Sequence, residues 1–172
     1  MNKLSILLQQ LHIDTNQAFS QADITRVVVH HDSRYTFYIS SPELMPLDNV
    51  KALKEAQHLF PYPCEFLFET TSNHFREEDV IEYSDYIMHH VLGNVPEMQS
   101  MTRDDMDLKD NILTLHTVNH IQCDSIKTQL NEMRTLLSGF GINIDLRAEV
   151  DADNHEYQQT IAEMEENKGV HI

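Results

Sequence analysis

Asp104, Asp105 and Asp107 are the most concentrated set of chemistry-bearing side chains in the sequence. On a strand, Asp105 and Asp107 would project from one face. Paired carboxylates hold Mg²⁺ for phosphoryl or nucleotidyl transfer in that way. The chain contains 28 Asp and Glu, so a spacing of two arises readily by chance. A solvated hairpin edge is therefore the preferred reading. Histidines come in pairs, as His30-His31, His89-His90 and His116 with His120. Adjacent side chains diverge on a strand, which keeps His30 and His31 from chelating one ion. His116 and His120 have the outer spacing of a zincin helix but lack its glutamate, and they straddle a strand end. Cys64 and Cys123 are too far apart in sequence to found a zinc site, and free thiols in a reducing cytoplasm are expected. There is no Gly-x-Ser-x-Gly, and with four glycines no phosphate loop. No catalytic residue, metal site or cofactor is expected in this chain.

The elements that would position these groups are short. Leu4, Leu7, Leu8 and Leu11 line one face of a first helix, and Asp14 to Gln21 connects it to a strand over 24–30 carrying Val27-Val28-Val29. Asp32-Ser33 turns the chain, and Tyr35, Phe37 and Ile39 alternate on the return. A helix over 47–59 follows, with Val50, Leu53, Ala56 and Leu59 inward, and then a strand over 64–70. The second half repeats this plan. A helix buries Val80, Tyr83, Ile87 and Val91 and is capped by Gly93. Lys109-Asp110-Asn111 makes a hairpin turn. A helix capped by Asp124 carries Ile126, Leu130, Met133 and Leu137 on one face, and Ile142, Ile144, Leu146 and Ala148 alternate after it. Tyr35 and Phe37 stand over Leu113 and Leu115 at the same offset that puts Cys64, Phe66 and Phe68 over Ile142, Ile144 and Leu146.

The expected class is α+β: two small tandem α-ββ-α-β units, 1–74 and 75–150, then an acidic helix or linker over 151–172. The helix–strand arrangement is similar to that of KH-type modules, but the Gly-x-x-Gly clamp that such modules close on nucleic acid is absent. A net charge of −16 repels phosphate backbones and favours a basic protein partner. No run reaches the roughly 18 apolar residues of a membrane helix, and no secretory signal opens the chain, so a cytoplasmic location is expected. Tyr35, Phe60, Tyr62, Tyr83 and Tyr86 are the candidate partner-binding residues, as large aromatics near element ends.

Several segments, in order and with matching spacing, resemble the PolC-type DNA polymerase III alpha subunit. These are Leu7-Leu8-Gln9-Gln10-Leu11, Asp23-Ile24 leading into Val27-Val28-Val29-His30, Ser33-Arg34-Tyr35-Thr36-Phe37 and Leu44-Met45-Pro46. Phe140-Gly141-Ile142 with Ile144-Asp145-Leu146 is similar to that family's second N-terminal domain. The family's second strand usually carries a Trp, whose place Tyr35 takes here. The resemblance implies a non-catalytic N-terminal interaction region of a replicative polymerase, docking to the clamp-loader tau subunit. It implies DNA contact, Mg²⁺ and 3′–5′ exonuclease activity only in downstream domains. A standalone nucleic-acid-binding KH-like module is the alternative, and a small Mg²⁺-dependent phosphotransfer enzyme a more distant one.

Overall fold

A computed structural model describes residues 2–151. Helix α1 (Lys3–Gln10) starts where the Asn2 carboxamide accepts the Ser5 amide, and it buries Leu4, Leu7 and Leu8. The expected connection over 14–21 contains a short helix, α2 (Gln17–Ser20). Asn16 caps it, and Phe19 is buried. Strands β1 (Asp23–Val29) and β2 (Tyr35–Ser41) pair antiparallel. Ser33 takes a φ of 64° in the turn between them, and Ser33 N–H donates to the His30 carbonyl. Helix α3 (Leu47–Ala56) buries Val50 and Leu53, then tightens into a 3₁₀ turn, Gln57–Leu59. Leu59, expected inside, is exposed there. Strand β3 (Cys64–Thr70) returns parallel to β2, giving the order β1-β2-β3.

The second half repeats the plan. Helix α4 (Glu77–Tyr86) carries Glu77, Glu78 and Asp79 in its first turn, at the positive end of the helix dipole. It runs into a π-helical turn, Ile87–Val91, which the Leu92 N–H closes on the Ile87 carbonyl. Leu92, not Gly93, is therefore the capping residue. Helix α5 (Pro96–Gln99) precedes β4 (Met106–Lys109) and β5 (Ile112–Thr117). Asp110 and Asn111 both take positive φ, 53° and 60°, as a two-residue hairpin requires. The expected single helix is two, α6 (His120–Lys127) and α7 (Leu130–Gly139). Asn119, not Asp124, caps α6, accepting the Gln122 amide at 2.8 Å. Helix α7 ends in a Schellman motif: Ile142 N–H donates to the Leu137 carbonyl and Gly141 N–H to that of Ser138, with Gly141 at φ 94°.

Strand β6 (Asp145–Val150) runs parallel to β5, giving the order β4-β5-β6. The pairing corrects the sequence offset. Tyr35 faces Cys64, but Leu113 faces Leu146, four residues beyond Ile142. The chain leaving α7 spends Ile142, Asn143 and Ile144 before pairing begins, although Ile142, Ile144, Leu146 and Ala148 are all buried as their alternation requires. The described residues are mixed α+β with two three-stranded sheets. One continuous buried cluster joins both halves. The acidic helix expected over 151–172 lies outside the described residues, apart from Asp151.

Candidate functional site

Five aromatic rings gather at the turn end of the first sheet. Tyr35 stacks on Tyr62 with centroids 5.2 Å apart and meets the edge of Phe60 at 5.2 Å. Phe37 packs on Phe60 at 5.2 Å and on Phe66 at 5.7 Å. The backbone fixes this grouping. Tyr35 N–H donates to the Pro63 carbonyl at 2.8 Å, which ties the bend carrying Tyr62, with Pro61 and Pro63 restricting its backbone, to the start of β2. Cross-strand pairing puts Val27 opposite Phe37 and Val29 opposite Tyr35, so both valines share the rings' face of the sheet.

Helices cover only part of this face. Ile24 and Ile39 on this face are buried, whereas Val27, Val29 and Tyr62 are exposed at 42%, 57% and 47%. The result is an apolar surface of branched and aromatic side chains, part core and part open. Three of the five candidate residues, Tyr35, Phe60 and Tyr62, come together in it. Val27 and Val29 were legible only as strand formers, since a Val-Val-Val run reads as buried sheet.

The other two candidates stand elsewhere. Tyr83, expected at a partner surface, is 1% exposed. Its hydroxyl donates to the Met45 carbonyl, and its ring packs on Phe140 at 5.2 Å. It is an internal tie between the halves and not a contact residue. Burial, with the carboxylates of Glu82 and Asp79 adding to it, pushes its phenol pKa well above the ordinary value. Tyr86 is half-buried in the seam between α3 and α4, with Lys51 and Lys54 ammonium groups 5.2 and 5.6 Å from its ring. Lys54 also lies 5.1 Å from the Phe140 ring, and desolvation lowers its pKa. These cation–π contacts bind the two halves across the seam.

The aspartate set is not a paired-carboxylate face. Asp105 ends a 3₁₀ turn, Arg103–Asp105, and its carboxylate accepts the Thr102 amide at 2.9 Å and hydroxyl at 3.1 Å. Strand β4 begins only at Met106, so Asp105 and Asp107 share no strand face; Asp107 pairs with His116 at 3.0 Å. His30 meets Thr36, whose hydroxyl donates to Glu65, and His89 meets Asp85 and its carbonyl. Among the described residues no three His, Cys, Asp or Glu side chains gather as metal ligands. Both cysteines are free, Cys123 buried and Cys64 with its thiol pKa raised by desolvation. No helix among the described residues is long and apolar enough to cross a membrane.

The family model of the DNA polymerase III polC-type N-terminus I matches residues 3–58. Over that stretch the chain is similar to the PolC N-terminal family. The match takes in α1, α2, the β1–β2 hairpin and α3, and so contains Val27, Val29 and Tyr35 of the apolar surface. Phe60 and Tyr62 lie just past it. The family supports reading the chain as a DNA polymerase III N-terminal region, and that domain family belongs to a PolC-type DNA polymerase. No curated protein matches the chain.

Proposed function

We propose that this chain is a non-catalytic, cytoplasmic protein-interaction region at the N-terminus of a PolC-type DNA polymerase III alpha subunit, docking to the clamp-loader tau subunit. The carrying observation is the open apolar surface of Val27, Val29, Tyr35, Phe60 and Tyr62 on the PolC-family unit. Branched and aromatic side chains flanked by polar ones are what a protein interface buries at its centre. The charge of −16 favours a basic partner and disfavours direct contact with DNA. In this reading 1–74 and 75–150 are two adapter domains, the second KH-like without a nucleic-acid clamp, because Gly139-Phe140-Gly141 closes a helix instead of opening one. DNA, Mg²⁺ and the exonuclease belong to downstream domains.

Calorimetric titration with purified tau tests the reading. The expected result is saturable binding that weakens with added salt, together with no shift of single-stranded or primer–template DNA at physiological salt. No heat of binding to tau at tens-of-micromolar concentrations (a Kd weaker than about 10⁻⁴ M) overturns the tau assignment. A DNA shift by the chain alone would favour the nucleic-acid module.

A further inference from the structure

The two edges of the first sheet are treated differently. Helix α7 lies along β3 so closely that a Cβ on Gly139 would stand 3.3 Å from Leu67 Cδ2, and one on Gly141 would stand 3.4 Å from the Phe68 carbonyl. Among the described residues the β1 edge is covered only at its start. There Asn2 donates to the Ala22 carbonyl, and the Asp23 carboxylate accepts the Leu4 and Ile24 amides. A bulge between Ile24 and Arg26 then separates that start from the remaining stretch, Arg26–Val29.

The hydrogen-bond phase of this stretch follows from its turn. His30 N–H donates to the Arg34 carbonyl at 2.8 Å, making His30 and Arg34 a bonded pair. Bonded and non-bonded pairs alternate along an antiparallel ladder. Val28 therefore bonds Thr36, while Val27 and Val29 turn their amides and carbonyls away from β2. Among the described residues no loop, turn or side-chain hydrogen bond reaches those four groups. The side chains beside them are the exposed valines of the apolar surface.

We propose that the Arg26–Val29 edge accepts an extended strand from a basic partner, adding a fourth strand to the first sheet. Main-chain bonds to Val27 and Val29 would supply affinity, and side-chain contacts selectivity. Every second side chain of the incoming strand meets Val27, Val29 and the rings beyond them, which calls for branched or aromatic residues there. Asp23 and Asp32 stand at the two ends of the edge, but Asp32 pairs with Arg34 at 3.9 Å and Asp23 accepts two amides, so it is the overall charge of −16 that favours Lys or Arg in the flanks. A second copy of the chain brings another −16 charges to the same place, so a heterologous strand is favoured. The proposal deepens the docking reading and rests on it for the partner, not for the edge.

Amide hydrogen exchange on the ¹⁵N-labelled 172-residue chain tests it, with tau and separately with the synthetic peptide Lys-Val-Lys-Val-Lys-Val-Lys. With the peptide, Val27 and Val29 exchange should slow by about tenfold or more while Val28, already bonded, changes little. A peptide N-methylated at alternate residues should give no slowing. Unchanged Val27 and Val29 exchange at peptide saturation, or slowing that appears with chain concentration alone, overturns the proposal. If tau binds and protects a different surface, edge pairing with tau falls and the docking reading stands. If the peptide protects the edge and tau does not bind, the edge stands and the tau reading falls.

Discussion

The Tyr83 hydroxyl donates to the Met45 carbonyl, joining α4 to the loop that leads into α3. This bond is buried and crosses the boundary between the two sheets. Tyr83→Phe keeps the ring on Phe140 but leaves the carbonyl without its donor, at a cost of about 1–3 kcal/mol near neutral pH. The raised phenol pKa adds a pH signature. Above about pH 10 the unfolded chain releases this proton and the folded chain keeps it, so stability falls by about 1.4 kcal/mol per pH unit. Tyr83→Phe lacks that component. Urea midpoints at about pH 8 and about pH 11 should therefore show the variant's deficit shrinking as pH rises. Parallel pH profiles would contradict the assignment.

Gly141 is fixed by two demands at once. Its φ of 94° excludes an ordinary side chain, and a Cβ there would stand 2.5 Å from Thr70 Oγ1. The Thr70 hydroxyl is itself buried without a partner. Gly141→Ala should cost about 3 kcal/mol, of which about 1–2 is backbone strain and the rest the clash. Adding Thr70→Ala removes the clash and not the strain. The double variant should then be more stable than the two single losses add up to, by about 1 kcal/mol in a thermal or urea cycle.

Much of this architecture is legible from residues alone, because faces follow periodicity. Leu4, Leu7, Leu8 and Leu11 bury as a helical stripe, Phe37 and Ile39 as a strand, and Ile142 to Ala148 as an alternating run. What periodicity omits is partner and place. Ile126, Met133 and Leu137 stay in helical phase and buried across the break at Thr128–Gln129, so one helix and two look alike in sequence. Tyr83 and Tyr62 are the same residue type near element ends, yet one is interior and one exposed. Only the docking of α4 and α7 on β3 and the Met45 loop separates them.

Asp105 serves Thr102 in a capping box, so its removal should show up as stability and not as metal affinity. Asp105→Ala should cost about 1 kcal/mol. The melting temperature of the unmodified chain should be unchanged by millimolar Mg²⁺, since a ligand shifts stability only when it binds the folded state. A Mg²⁺-dependent rise that Asp105→Ala or Asp107→Ala abolishes would restore the carboxylate pair as a metal site.

Tyr62 and Tyr35 should separate binding from folding. Tyr35 is anchored in β2, touches Phe37, Phe60 and Tyr62, and is partly buried. Tyr62 rests on Tyr35 and the edge of Phe60 with nearly half its surface open. Truncating Tyr35 removes ring packing from the core, so Tyr35→Ala should cost about 3 kcal/mol of stability. Tyr62→Ala deletes mainly open surface and should cost less than about 1 kcal/mol. As the exposed centre of the proposed docking face, it should still weaken tau binding by about 1.4 kcal/mol or more, a tenfold change in Kd. Calorimetry with tau beside urea unfolding of the same variant reads both quantities. Full affinity for tau in a folded Tyr62→Ala chain would move the docking face away from this aromatic cluster.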